Sequence, residues 1–185
     1  VVDSVSGTAI MRQHIHLYDT VNKVIVEGNY GEVLKNNDYA FVTDRALLIL
    51  VGQSDSLFVH GDTLSINKDS AGYNVMKAYH HTKFYSMDLQ GVCDSMVFPT
   101  ADSTVYLYKE PVVWASGNQL TATEISMHMK DNQVDIFDMK NKAMIVNPVD
   151  STMYKLLPDQ RGVLFNQIKG RDMRGYVKNN ELYLM

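Results

Sequence analysis

A carboxylate directly before a hydroxyl recurs along this sequence, which raises the question of an acid beside a nucleophile. The copies are Asp3-Ser4, Asp55-Ser56, Asp69-Ser70, Asp94-Ser95, Asp102-Ser103 and Asp150-Ser151, with Asp19-Thr20 and Asp62-Thr63 as the threonine versions. A catalytic hydroxyl also needs a base such as His within reach, and one catalytic pair would not be repeated along a chain. Because Asp and Ser side chains bind backbone amides two residues on, the pattern predicts turns that release the chain into strands.

Cysteine and histidine offer little further chemistry. Cys93 is the single cysteine, so no internal disulfide and no cysteine-based zinc site is expected, and a small apolar role is favoured. His14 and His16 have a spacing that puts two rings on one face of a strand, but only Asp19 follows as a further ligand. We therefore expect neither a metal nor a cofactor.

Composition narrows the class of protein. The chain has 185 residues, 45% of them hydrophobic and 21% charged, with a net charge of −4. This size and balance indicate one globular domain with a real core, over residues 1–185, and the absence of a basic surplus argues against nucleic-acid binding. The longest apolar run, ALLILV at 46–51, is too short to span a bilayer.

The two ends of the sequence suggest processing. It begins VVDSVSG, without an initiator Met or an apolar signal segment, which predicts a chain whose signal peptide has been removed. It ends on an apolar strand, NELYLM, which suggests one part of a longer protein.

Period-two alternation predicts an all-β protein. Ile125, Met127 and Met129 alternate with polar residues, and Asn-, Gly- and Asp-containing pairs separate similar short runs along the chain. About 14–16 short strands would fit the length. Glycines recur beside apolar strands at Gly28, Gly61, Gly91, Gly117 and Gly170, which predicts stacked β layers. The fold indicated is an elongated stack, either a β-helix or a rolled antiparallel jelly roll.

Several segments of the sequence share one repeated pattern. The stretch VIVEGNYGEVLKNNDYAFVTDRALLIL (24–50) runs apolar strand, Gly-Asn, strand, Asp-x-Ala and strand. This pattern resembles the core repeat of the OstA-like family, which includes LptA and the N-terminal domain of LptD. GDTLSI (61–66) and GNQLTATEISMHM (117–129) resemble two further copies. KEPVVWASGNQLTATEI (109–125) and FNQIKGRDMRGYVKNNELYLM (165–185) resemble the longer members. The likeness runs from about Lys23 to the end.

This resemblance implies a fold and a function. The fold would be a β-taco, an antiparallel jelly roll of stacked short strands whose apolar interior holds the acyl chains of lipopolysaccharide. Open edge strands would pair with other lipopolysaccharide-transport proteins, or with further copies in a head-to-tail homo-oligomer. The protein would act without catalysis in the periplasm, carrying lipid to the outer membrane.

Strand alternation then predicts which side chains line that interior. Acyl chains gain roughly 0.8 kcal/mol for each methylene buried, so the lining must be apolar. In all-apolar runs both faces remain open, and Leu120 and Ala122 can face inward with Ile125 only if a bulge or corner lies near Thr123-Glu124. The predicted interior positions are Val24, Val26, Leu48, Leu50, Leu57, Val59, Leu64, Ile66, Met96, Phe98, Val105, Leu107, Leu120, Ala122, Ile125, Met127, Met129, Ile136, Met144 and Val146.

Two other classes of function stay open. A carbohydrate-active β-helix enzyme predicts clustered carboxylates with a shifted pKa on one outer face. A structural or adhesive β-stack predicts a solid interior with no groove. Tyr79, Tyr85, Tyr106, Tyr108 and Trp114 could form a sugar-binding ladder, although plain cross-strand pairs are the commoner explanation. The cations best placed to meet lipid phosphates are Lys77, Lys83, Lys109, Lys169, Arg171 and Arg174.

Overall fold

A computed structural model shows an antiparallel β protein, as the alternation predicts. The structure describes residues 2–3, 7–53, 55–130, 133–149, 164–178 and 181–184. In these residues eighteen strands join into one continuous sheet, and the one helical element is a short 3-10 turn at Lys35–Asn37. No helix in the described ranges is long and apolar enough to cross a membrane.

The strands follow one another with short connections. They are β1 (Val2–Asp3), β2 (Thr8–Asp19), β3 (Val24–Leu34), β4 (Tyr39–Thr43), β5 (Leu47–Leu50), β6 (Leu57–His60), β7 (Thr63–Lys68), β8 (Asn74–Tyr85), β9 (Leu89–Pro99), β10 (Thr104–Tyr108), β11 (Val112–Ala115), β12 (Asn118–Thr121), β13 (Glu124–Lys130), β14 (Gln133–Lys140), β15 (Ala143–Pro148), β16 (Phe165–Gly170), β17 (Met173–Lys178) and β18 (Glu181–Leu184).

The sheet is folded lengthwise into two walls. Wall I contains β1, β4, β7, β10, β13, β14, β17 and β18. Wall II contains β5, β6, β11, β12, β15 and β16. The long strands β3, β8 and β9 run through both walls, since each pairs with a different partner along its two halves. The long strand β2 follows β3 through both walls, because it pairs with β3 along both halves. These four strands join the walls along a shared fold line.

The backbone bends sharply at the fold line. Backbone hydrogen bonds connect successive corners along this line. The amide of Asn29 donates to the carbonyl oxygen of Asp44 at 2.9 Å, and the amide of Asp62 donates to the carbonyl oxygen of His80 at 2.9 Å. Positive φ angles concentrate there, at Gln13, His14, Asp44, Arg45, His81, Lys109, Glu110, Asn141 and Lys142. Irregular backbone is tolerated at this line because each corner's amide is satisfied by its neighbour.

The predicted corner near Thr123-Glu124 is confirmed. β12 ends at Thr121 and β13 begins at Glu124, so the chain passes from wall II to wall I between them. Ala122 (5% exposed) and Ile125 (1%) are both buried in spite of their opposite parity. The change of wall therefore explains why Ala122 and Ile125 are both buried, which a single straight strand would not allow.

Three apolar rows run along the inner face, where the two walls meet. Cross-strand partners share a face, so the register defines each row. In wall I the row nearest the fold line is Met11, Gly31, Val42, Leu64, Ala78, Met96, Leu107, Ile125, Met139 and Met173. The next row of wall I includes Ala9, Val33, Ala40, Ile66, Met76 and Phe98, and later Val105, Met127 and Phe137. The row of wall II is Leu17, Val26, Leu48, Val59, Phe84, Gly91, Val113, Leu120, Ile145 and Ile168.

Gly91 makes room for an aromatic ring in the row of wall II. A Cβ at this position would lie 2.2 Å from Cζ of Phe84 and 2.9 Å from the carbonyl oxygen of Val112. The backbone oxygen belongs to the neighbouring strand and cannot move aside without breaking the ladder. A glycine is therefore required where the Phe84 ring crosses the strand.

Gly91→Ala is expected to destabilise the protein by about 1–3 kcal/mol, the usual effect of overpacking a core. Gly61→Ala is the matched control, since a Cβ there meets nothing closer than 3.5 Å and is in ordinary contact. Urea denaturation followed by circular dichroism measures both variants. Equal stability of the two variants would contradict the packing described for Gly91.

Candidate functional site

The inner face changes from closed to open with distance from the fold line. On β10, Leu107 near the line is 0% exposed, whereas Val105 farther out is half-buried. On β7, Leu64 is 7% exposed and Ile66 is 37% exposed. We call the free margin opposite the fold line the mouth. The inner residues at the mouth offer partly exposed apolar surface beside a close-packed interior.

The openness is greatest in the first strands. The inner positions of β3 and β5, Val24, Val26, Leu48 and Leu50, are all half-buried. From β10 to β15 the interior is closely packed and inaccessible to solvent. The fully buried side chains, all between 0% and 1% exposed, are Leu107, Val113, Leu120, Ile125 and Phe137. Exposed apolar surface on the inner face is therefore greatest at the mouth formed by β2 to β8.

Most of the predicted lining positions lie on the inner face. Val59, Leu64, Met96, Leu107, Leu120, Ala122, Ile125 and Met127 are buried there. Val24, Val26, Leu48, Leu50, Leu57, Phe98 and Val105 are half-buried and share their rows or parity. Met129 is half-buried just beyond a bulge that falls between His128 and Met129. Their contact with a lipid stays a prediction.

Three predicted lining positions lie on the outer face, and their assignment to the interior was wrong. In β14 the buried residues are Phe137 and Met139, which turns Ile136 outward. In β15 the buried residues are Ala143 and Ile145, which turns Met144 and Val146 outward. Both strands are apolar on two faces, so alternation alone does not choose between the faces.

The inner face carries no reactive group in a poised state. Cys93 is buried, and burial raises the pKa of its thiol to about 12, with the carboxylate of Asp94 adding to the effect. Such a thiol stays protonated and inert at neutral pH. The predicted small apolar role of Cys93 is consistent with this environment.

The Asp-Ser pattern marks turns in several places. The side-chain amide of Asn22 donates to Asp19 at 2.6 Å and is the main cause that lowers the pKa of its carboxyl group. The backbone amides of Asn22 and Val21 also donate to Asp19 and lower this pKa further. Asp69 binds the amides of Ala71 and Tyr73 in the same way. Asp102 likewise accepts from the amide of Thr104, at 3.0 Å. Ser4, Asp150 and Ser151 lie outside the described residues.

Asp94-Ser95 departs from that pattern, because it lies within β9 at the fold line. The hydroxyl of Ser95, the ammonium of Lys109 (3.0 Å) and Nδ1 of His80 (3.0 Å) all contact the Asp94 carboxylate. These partners hold the pKa of Asp94 far below its usual range, the Ser95 hydrogen bond first. His80 binds Asp94 rather than the hydroxyl of Ser95. The group is therefore a cluster of ion pairs, and it lacks the contact between a base and a nucleophile that catalysis needs.

A second polar network covers the outer face of wall I. Arg174 makes two hydrogen bonds to Asp138, at 2.6 and 2.7 Å, and His128 contacts the same carboxylate at 2.8 Å. Arg174 is the main cause that lowers the pKa of Asp138. The network ties β17 to β14 and β13. It was missed in the sequence, where His128 is isolated and its partners lie ten and more residues away.

The pKa values of the carboxyl groups on the described surface give no support to a glycosidase. Every carboxyl group there with a clearly displaced pKa, namely those of Asp19, Asp94, Asp138 and Asp172, is shifted downward. A glycosidase acid needs the opposite shift. Within the described ranges no three His, Cys, Asp or Glu side chains come close enough to hold a metal ion.

A folded antiparallel sheet with an apolar inner face defines an LptA-like β-jelly roll, the fold that the sequence resemblance predicts. The structure of LptH from Pseudomonas aeruginosa has this fold, with a TM-score of 0.55 and 11% sequence identity, over 82% of this chain and 98% of LptH. LptH is described as the LptA-homologous periplasmic component of the conserved lipopolysaccharide transport device. No family model and no curated protein sequence matches the chain.

Arg174→Gln is expected to raise the pKa of Asp138, because its largest favourable partner is lost. A lowered carboxyl pKa stabilises the fold above its unfolded-state value near 3.8, and this contribution disappears as the pH falls through the folded value. The variant should therefore lose a little stability at neutral pH, since the ion pair is partly exposed to solvent, and show a shallower loss on acidification. Carboxyl NMR titration and urea denaturation between pH 2 and 7 (roughly the carboxylate window) measure both effects.

Arg171→Gln provides the control. Asp172 owes its lowered pKa first to the amide of Asn141, which donates at 3.0 Å, and only second to Arg171. Its carboxyl pKa should move less than that of Asp138. A larger shift at Asp172 than at Asp138 would contradict the network as described.

Proposed function

We propose that this protein binds the acyl chains of lipopolysaccharide at its mouth and carries them through the periplasm as a non-enzymatic transport module. The observation that supports this most is the unbroken apolar character of the three inner rows. Every member of those rows is an apolar side chain or a glycine. A lipid tail lying along them would meet apolar side chains at each successive strand.

The energetics favour a guest at the mouth over one at the fold line. Inner residues at the mouth already face solvent in part, so covering them with acyl chain removes apolar surface from water, at about 25 cal/mol per Å². Entry near the fold line would instead have to separate side chains that are fully buried, such as Leu107 and Leu120. We infer that tails lie between the walls near the mouth while the sugar part stays in water.

Open strand edges offer a route for handing lipid on. Among the described residues, β16 pairs only with β15, and its six residues are all exposed. At the opposite end of wall II, the half of β2 from Ile15 to Asp19 pairs only with β3 within the described part of the chain. Such edges can add a strand from a neighbour, and we propose other lipopolysaccharide-transport proteins, or a second copy, as those neighbours. The outer membrane would be the destination.

Photocrosslinking tests the proposed site with a matched pair of positions on β5. Leu50 lies on the inner face opposite Val24 and Leu57, and Ile49 lies on the outer face opposite Ile25 and Phe58. Both side chains are half-buried, so only their facing differs. With p-benzoylphenylalanine at either position, irradiation in the presence of lipopolysaccharide should give a lipid adduct at position 50 and little at position 49.

The adducts are measured by denaturing electrophoresis and mass spectrometry. Equal labelling at the two positions would mean non-specific contact with lipid micelles. No labelling at position 50 in a variant that remains folded would contradict the proposed function.

A further inference from the structure

A groove with tyrosine sides lies on the outer face of wall I, away from the lipid site. Its floor is β9, and the register places Tyr79 of β8 and Tyr108 of β10 on either side of Ser95. These three residues share the outer face because their neighbours Ala78, Met96 and Leu107 are buried inside. The groove has a volume of about 550 Å³, within the range of small-molecule sites.

The spacing of the two tyrosines leaves a slot. Adjacent strands lie about 4.8 Å apart, so the two backbone positions are about 10 Å apart with only a hydroxymethyl group between them. A ring held in van der Waals contact with both tyrosines, at about 3.5–4.0 Å from each, needs about 7–8 Å between them. The backbone spacing is therefore compatible with one six-membered ring between the side chains.

Neighbouring residues hold both sides of the slot in place. The ring of Tyr108 stacks on that of Tyr106, with centroids 6.5 Å apart and planes at 13°. Tyr106 in turn donates a hydrogen bond to Asp102 at 2.8 Å. On the other side the hydroxyl of Tyr79 lies 3.3 Å from Oγ of Ser65. The side chains are fixed before any ligand arrives, which lowers the entropic cost of binding.

Another aromatic cluster on the same outer face shows what distinguishes the slot. Phe41 packs between Tyr30 and Tyr39, with ring centroids 6.1 and 5.9 Å away. The rings there contact one another and leave no space. At Ser95, by contrast, the small side chain separates the strand positions of two tyrosines.

Polar groups surround the slot at hydrogen-bonding height. Lys77 lies beside Tyr79, and within the described residues its ammonium has no hydrogen bond or ion pair. Lys109, paired with Asp94, and Glu124 line the end near the fold line. Burial and the carboxylate of Glu124 raise the pKa of Tyr108, which keeps its hydroxyl protonated and able to donate. Donors and an acceptor thus ring an apolar slot.

We propose that this groove is a saccharide-binding site, in which a pyranose ring inserts between Tyr79 and Tyr108 above Ser95. The C–H faces of a pyranose are apolar and suit the two aromatic rings. Its equatorial hydroxyls point outward from the ring edge, where Lys77 can donate and Glu124 can accept. Because the site lies on the opposite face of wall I from the acyl chains, it does not depend on the proposed lipid function.

Two sources could supply such a ring, the core sugars of lipopolysaccharide and the glycan strands of peptidoglycan. Saturation-transfer NMR of the whole chain separates them with two probes, lipid-free core oligosaccharide and a soluble N-acetylglucosamine–N-acetylmuramic acid disaccharide. Transfer to ring protons of either probe, lost in the variants below, supports the site and identifies its source.

The variants are Tyr108→Ala, which removes one side of the slot, and Ser95→Leu, which fills its floor and keeps both tyrosines. Either should weaken binding roughly tenfold, the effect of losing a well-stacked ring. Tyr85→Ala is the control, since Tyr85 is 54% exposed and lies on wall II. Circular dichroism checks folding, and Ser95→Leu keeps the test valid if Tyr108→Ala unfolds. No transfer from either probe, or an equal loss in the Tyr85 variant, would overturn the proposal.

Discussion

Contact between the two walls across the inner face is the interaction on which the structure depends. Neither wall could stand alone, since each exposes a row of apolar side chains along its length. Folding one continuous sheet onto itself buries both, and Gly31 shows how closely they meet, because a Cβ there would lie 3.3 Å from Cδ1 of Ile15 in the other wall. The fold line keeps the walls in register through backbone hydrogen bonds between corners. Among the described residues no charged side chain is fully buried, and the buried polar side chains are those of Ser65, Thr82, Thr104 and Ser126.

The proposed function uses the part of this contact that is left incomplete. Close packing at the fold line secures the fold, while the mouth keeps apolar side chains half-exposed where a guest can complete their burial. Met76 belongs to these partly buried inner positions at the mouth. Methionine adapts its shape to irregular apolar partners, which suits a surface that must accept flexible chains. Stability and binding thus draw on one inner face, at different distances from the fold line.

The sequence predicted the fold well because its information is local. Alternation defines a strand, and the conflict of parity around Thr123 was enough to predict the corner there. Ile136, Met144 and Val146 were misplaced because their strands are apolar on both faces, and only the pairing of neighbours shows which face turns inward. The ion-pair network of Asp138 and the tyrosine slot depend on residues brought together from separate strands. Such juxtapositions follow from register, which the alternation of one strand does not reveal.

The central claim is that lipid contacts the inner face at the mouth, and methionine methyl NMR tests it directly. Met76 lies at the mouth on that face, Met144 lies on the outer face of wall II, and Met87 is 66% exposed in a turn. With ¹³C-methyl-labelled methionine, adding lipopolysaccharide should shift the resonance of Met76 and leave those of Met144 and Met87 in place. Shifts confined to Met144 and Met87, or none at saturating lipid, would contradict lipid binding between the walls.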